Sequence, residues 1–137
     1  MGQARDLAER FYELFADGKI SDLRELFDES CITLMPVGAL NQDEHEAVGH
    51  AFRNAFPDSY MEIDRWVENG NEVVVLGYFK GKHDGDLVSA GGTIPATGKP
   101  LNLRFIDYWK AANGKIVDHQ IVFDQMELLG QLGALPA

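Results

Sequence analysis

Asn113-Gly114-Lys115-Ile116-Val117-Asp118-His119-Gln120-Ile121-Val122-Phe123-Asp124-Gln125-Met126-Glu127-Leu128-Leu129 reads as a tight turn, a β-rich run, an acid and the start of a helix. Asn-Gly supplies the positive φ values of a two-residue hairpin, so a strand must precede it and run antiparallel to the one that follows. That preceding strand is Leu101 to Ala111. Working back, Asp84 to Gly98 is a Gly-, Ser- and Thr-rich loop, Val73 to Lys82 is a long strand with an apolar start, and Asn69-Gly70-Asn71 is a turn. Ser59 to Glu68 alternates in part, with Met61 and Ile63 on one side and Tyr60, Glu62, Asp64 and Trp66 on the other. Before residue 58 the pattern is mainly helical. Leu7, Phe11, Leu14 and Phe15 form one face of a helix from about Gln3 to Ala16, Ser21 caps a short second helix, and Cys31 to Val37 is β-like. A third helix begins at Asn41, with Glu44 completing a capping box and Pro57 ending it. Helices first and strands later predict an α+β fold, with three N-terminal helices laid on a curved antiparallel sheet. Such a sheet closes into a cone-shaped barrel whose mouth is a ready pocket.

The 137 residues suit a single domain spanning 1–137, and 45% hydrophobic content provides a core. A net charge of −10 with scattered Lys and Arg argues against nucleic acid and anionic membrane as partners. No apolar run approaches the roughly 18–20 residues that span a bilayer. The charged, amphipathic N-terminus does not read as a signal peptide. One cysteine, Cys31, excludes an internal disulfide and suggests a cytoplasmic home. The four histidines form no zinc set, and Gly91-Gly92 is not a phosphate loop. No metal or organic cofactor is expected.

Five stretches carry a resemblance when taken in order: Ala55-Phe56-Pro57-Asp58, Gly81-Lys82-His83-Asp84-Gly85, Ile94-Pro95-Ala96-Thr97-Gly98-Lys99, Asn113 to His119, and Asp124 followed by Leu128 to Gly133. Together they resemble the SnoaL-like polyketide cyclases of the nuclear-transport-factor-2-like superfamily. The resemblance implies the cone fold, a homodimer through the outer sheet face, and cofactor-free acid–base catalysis (an aldol-type cyclisation or an isomerisation) on a hydrophobic carbonyl compound. It also implies an Asp base, which by motif position is Asp124. The chain departs from the pattern at Gly77, where an Arg is common, at Leu34-Met35, where a polar pair with His is common, and at Asp118-His119-Gln120 in place of Glu-His-Trp. These departures imply a more apolar pocket.

Each candidate residue has a second reading. Asp124 is either the pocket base or the N-cap of the last helix. If it faces the pocket, strand parity takes Gln120 and Val122 with it and sends His119 outward to a dimer face. His83, beside the glycine-rich loop, is either an oxyanion donor or a strand-end histidine. Asp107 lines the pocket or faces solvent. Tyr12 donates into the cone or packs in the core, and Met35 stands in the pocket region. His45 and His50 read as a solvated helix face. Two other functions stay open: a non-catalytic binder of a small hydrophobic ligand, and an epoxide hydrolase built on a carboxylate–arginine–carboxylate network.

Overall fold

The computed structural model describes residues 2–89 and 91–135; positions 1, 90, 136 and 137 of the expected 1–137 domain lie outside the described residues. The centre of the sheet is β7 (Pro100–Ala112), and strict alternation puts it there. Leu101, Leu103, Phe105, Asp107, Trp109 and Ala111 are buried, while Asn102, Arg104 and Lys110 are exposed. One carboxylate therefore sits on an otherwise apolar face.

The hairpin from β7 to β8 (Lys115–Val122) turns through Asn113 at φ 53° and Gly114 at φ 78°, two positive values as its turn type requires. On the other side β4 (Glu72–Lys82) pairs with β7, and β3 (Tyr60–Asn69) forms the edge. β1 (Thr33–Met35) joins the free edge of β8 and β2 (Gly38–Leu40) pairs with β1, giving the order β2-β1-β8-β7-β4-β3.

Three features of the topology differ from the sequence expectation. The sheet stays open and does not close into a barrel, and β1 runs parallel to β8, with Thr33 opposite His119. The β1–β8 pair is joined by a long stretch of chain, so no tight turn dictates its direction. A third difference is a separate hairpin, β5 (Leu87–Ser89) with β6 (Gly92–Ile94), inside the stretch read as loop. Three-residue strands are too short for periodicity to reveal.

In β3 the register shifts between Ile63 and Arg65. The bulge carries Trp66 onto the face of Met61 and Ile63, where it packs on the core, so the expected opposition of Trp66 is reversed. Gly77 lies opposite Ile63; a Cβ there would meet the Glu62 carbonyl oxygen at 2.7 Å, so only glycine fits under the bulge.

The helices cover the inner face. α1 (Gln3–Ala16) buries Ala4, Ala8, Phe11, Tyr12, Leu14 and Phe15. A 3₁₀ helix (Ile20–Leu26) starts from Lys19; Ser21 does not cap it, and its Oγ instead sits 3.3 Å from His50 Nε2. α2 (Gln42–Ala55) opens with the expected capping box: Glu44 N–H donates to Asn41 Oδ1 at 2.9 Å, and Asn41 N–H donates to Glu44 Oε1 at 3.0 Å. Near its end, Arg53 Nη1 donates to the carbonyls of Phe15 and Ser59, tying α1 and the entry to β3 to α2. α3 (Gln125–Gln131) closes the described chain. Among the described residues no helix is long and apolar enough to cross a membrane.

Candidate active site

α1, α2 and the inner face of the sheet enclose a cavity of about 90 Å³. Its deep side is built from buried Phe11, Phe15, Phe79, Leu103 and Phe105, and its rim from half-buried Met35, Val48, Phe52, Met61, Ile121 and Phe123. The sheet's alternation and the apolar stripe of α2 dictate this lining. Among the described residues, two that line the cavity carry ionisable side chains, Asp107 and His45.

Asp107 is 4% exposed. Its Oδ2 accepts a 2.5 Å hydrogen bond from the Tyr12 hydroxyl, which itself accepts from Trp109 Nε1 at 3.2 Å. Among the described residues its Oδ1 has no hydrogen-bond partner. Burial pushes the Asp107 carboxyl up to about 7, with the Tyr12 hydrogen bond pulling the other way. Burial and the neighbouring carboxylate hold the Tyr12 phenol well above its ordinary value, so it stays a donor. The result is a carboxyl group that exchanges a proton near neutral pH, with one oxygen anchored and one free.

Tyr12→Phe tests that anchoring. It removes the donor that favours the ionised carboxylate, so the Asp107 titration midpoint should rise by about 1–2 pH units, as expected for a hydrogen bond to a charged group. A carboxyl-¹³C titration of the variant reads the change directly; an unchanged midpoint would show that Tyr12 does not hold Asp107.

The other expected site residues are distributed differently. Met35 lines the rim and Tyr12 supports Asp107 from beneath without lining the cavity. Asp124 is exposed: Oδ1 accepts from the backbone N–H of Met126 at 2.8 Å and of Glu127 at 3.3 Å, so it caps α3 and does not line the cavity. The inward face of β8 and its extension is His119, Ile121 and Phe123. Gln120 and Val122, expected in the pocket, therefore point to the outer face, where Gln120 lies opposite Tyr108 and Val122 is 60% exposed. The strand ends at Val122, and Asp124 turns away to meet the first N–H groups of α3.

His83 is fully buried but outside the cavity lining. Its Nδ1 accepts from Thr97 N–H at 3.2 Å and lies 2.9 Å from Thr97 Oγ1, and its ring stacks on Phe56. It pins the segment that carries the β5–β6 hairpin. His119, expected at an outward interface, is fully buried: its Nδ1 is 3.1 Å from Thr33 Oγ1 and its ring stacks at 3.8 Å on Trp109. Burial, with His45 adding to it, holds His119 well below its ordinary value and so neutral.

His45 is the residue that a solvated-face reading missed. It lies three residues before Val48 and seven before Phe52, on the apolar stripe of α2, and that spacing was visible in the sequence. Acidic Glu44 and Glu46 on either side obscured it.

Two comparisons place the chain among known proteins. The model of the SnoaL-like polyketide cyclase family matches residues 5–132. Among solved structures, AclR from Streptomyces galilaeus, a candidate hydroxylase, is 18% identical with a TM-score of 0.83 over 96% of each chain. IdmH from Streptomyces antibioticus, a candidate polyketide cyclase, is 24% identical with a TM-score of 0.78 over 94% of this chain and 97% of its own. A candidate SnoaL-like polyketide cyclase from Jannaschia sp. CCS1 is 17% identical with a TM-score of 0.82 over 98% and 94% of the two chains. These identities establish a common fold, which hosts more than one chemistry. No curated protein matches the chain.

Proposed function

The chain belongs to the SnoaL-like polyketide cyclase family, and from that premise we propose that it moves a proton on a hydrophobic carbonyl compound, without a cofactor, with Asp107 as the acid–base group. The observation that carries this reading is a buried carboxyl with one unpartnered oxygen, set in an apolar cavity and poised at about 7. A general base works best when its pKa lies near the working pH. Asp107 Oδ1 takes a proton from the carbon beside the carbonyl, the C–H electron pair becomes the enolate double bond, and the carbonyl π pair moves to oxygen. In a cyclisation the enolate carbon then attacks a second carbonyl, whose π pair moves to its oxygen and takes the proton back from Asp107; in an isomerisation Asp107 returns the proton to a different carbon of the conjugated enolate.

The test needs no natural substrate. Wild-type protein in D₂O should accelerate α-hydrogen exchange of cyclopentanone, followed by ¹H NMR, and Asp107→Asn should lose the acceleration. Equal rates for the two proteins would remove Asp107 from this role.

A non-catalytic ligand binder was the other reading, favoured by an Asp124 that caps its helix and faces away. Asp124 does so, but the buried, raised carboxyl that points to catalysis is present at another position, Asp107. Nothing favours an epoxide hydrolase, since among the described residues the cavity lining holds one carboxylate and no arginine to join it.

The cavity is smaller than the roughly 150 Å³ void known to hold benzene, so any ring-sized compound must displace the half-buried rim.

The outer sheet face supports a homodimer as part of this reading. Leu34 and Ile106 are each more than two-fifths exposed, and they lie on the outer face with Val122. Sedimentation should give a particle of two chains, and Val122→Lys with Ile106→Lys should return it to one; a wild-type monomer at high micromolar concentration would refute the dimer.

A further inference from the structure

Of the two ionisable side chains that line the cavity, only one is in the role described above. The second, His45, is 9% exposed, so nine-tenths of it is enclosed. Its backbone N–H bonds to the Asn41 carbonyl at 2.9 Å, as α2 requires, but among the described residues neither ring nitrogen bonds to another protein group. Unlike His83 Nε2 and His119 Nε2, the His45 nitrogens are not fully enclosed, and the ring lines the cavity. The ring is held in place by other rings: Phe27 at 5.4 Å, Phe11 at 6.2 Å and His119 at 5.3 Å between centroids. His119 is fixed in turn by Thr33 and by its stack on Trp109. A fixed imidazole with free nitrogens at the wall of an apolar cavity is preorganised for a ligand.

The lining also defines what that ligand must offer. Its remaining side chains are aromatic, aliphatic or thioether, and an ionised Asp107 accepts hydrogen bonds without donating any. A neutral imidazole always carries one N–H. Among the described residues, His45 is therefore the only side-chain hydrogen-bond donor in the lining once Asp107 has lost its proton.

We propose that His45 is a catalytic residue that donates a hydrogen bond to the substrate's carbonyl oxygen and to the enolate oxygen formed from it. This inference rests on the proton-transfer reading and deepens it. The proton goes from the α-carbon to Asp107 Oδ1, the electron pair ends on the carbonyl oxygen, and that oxygen accepts the His45 N–H throughout, with no proton leaving the imidazole.

The test uses cyclopentanone labelled with ¹³C at the carbonyl, added to the full chain at pH 8.5, where Asp107 is ionised. In wild-type protein the bound carbonyl resonance should lie downfield, in the range of a hydrogen-bonded ketone. In His45→Leu it should fall toward the value in hydrocarbon solvent, and His45→Gln, which keeps an N–H donor, should restore part of the shift. The same samples in D₂O should show α-hydrogen exchange reduced about 100-fold in His45→Leu, as for loss of one oxyanion donor. A bound carbonyl resonance that is the same in wild type and His45→Leu overturns the proposal and leaves His45 a core histidine. If His45→Leu abolishes the shift while Asp107→Asn exchanges as fast as wild type, His45 stands as the donor and the role of Asp107 fails. The Gln variant guards against a folding defect: a folded His45→Gln with neither shift nor exchange also overturns the proposal.

Discussion

Asp107→Asn is expected to cut proton transfer by about 10²–10⁴-fold, the usual worth of a positioned general base, while making the protein more stable at pH 8. The second half follows from the direction in which burial moves the carboxyl. Asp107 sits at about 7 in the folded state against an ordinary value of 3.8, so the native state holds its proton more tightly than the unfolded chain does. Its favourable contribution is complete below about pH 4 and is lost as pH rises through 7. A rise of that size corresponds to about 4 kcal/mol, an upper bound on what the substitution recovers above pH 7. The amide oxygen of the replacement still accepts from Tyr12, so the native hydrogen bond survives.

A second group tilts the opposite way. Burial holds His45 down at about 4, so its contribution is complete above its ordinary value of 6.5 and is lost as pH falls from there toward 4. In wild type the two slopes oppose each other between about pH 4 and 6.5. In Asp107→Asn the histidine slope, to which buried His119 adds in the same direction, is unopposed, and stability should rise with pH over that window. Urea unfolding at pH 4.5, 6 and 8 reads both effects. Asp124→Asn is the control: Asn caps a helix about as well as Asp, so both rate and stability should stay close to wild type. A less stable Asp107→Asn at pH 8 would mean that the wild-type carboxylate is satisfied in a way the structure does not contain.

Trp109→Ala should be the most damaging single change to stability. Trp109 is fully buried, and its ring meets Phe11, Tyr12, Phe27 and His119 within one cluster. Truncating such a side chain costs about 3–5 kcal/mol through lost transfer energy and the void it leaves. The same change removes the donor to Tyr12 and the floor under His119, so it loosens the supports of both Asp107 and His45. The urea midpoint should drop accordingly, and any exchange activity that survives should fall further than the stability loss alone explains. A cost below about 1 kcal/mol would show that this cluster is not the structural base of the site.

Much of the architecture was legible because its signals are local. Asn113-Gly114 announced the central hairpin, Asn41 and Glu44 announced the start of α2, and the long period-two run of β7 was plain. The errors fall where one residue decides a direction. The bulge between Ile63 and Arg65 moved Trp66 to the other face of β3. Asp124 was given the base's role by its motif position in the family resemblance, yet the first N–H groups of α3 claim it. Reading that acid as inward then reversed every residue of β8, placing Gln120 and Val122 inside and His119 outside. The carboxylate that lines the cavity had a signal of its own, since Asp107 falls in register with Leu101, Leu103, Phe105 and Trp109. An acid on the buried parity of the longest strand outranks an acid at a strand's end. His45 was hidden for a different reason, because the acidic neighbours of a helical residue say nothing about the face that it occupies.

The most direct measurement is a carboxyl-¹³C titration of the protein labelled at Asp, assigned by the loss of one resonance in Asp107→Asn. One aspartate should titrate with a midpoint of about 7, and it should be the resonance that the substitution removes. If every aspartate has finished titrating below pH 5, Asp107 holds no proton at neutral pH, and the acid–base role assigned to it is contradicted.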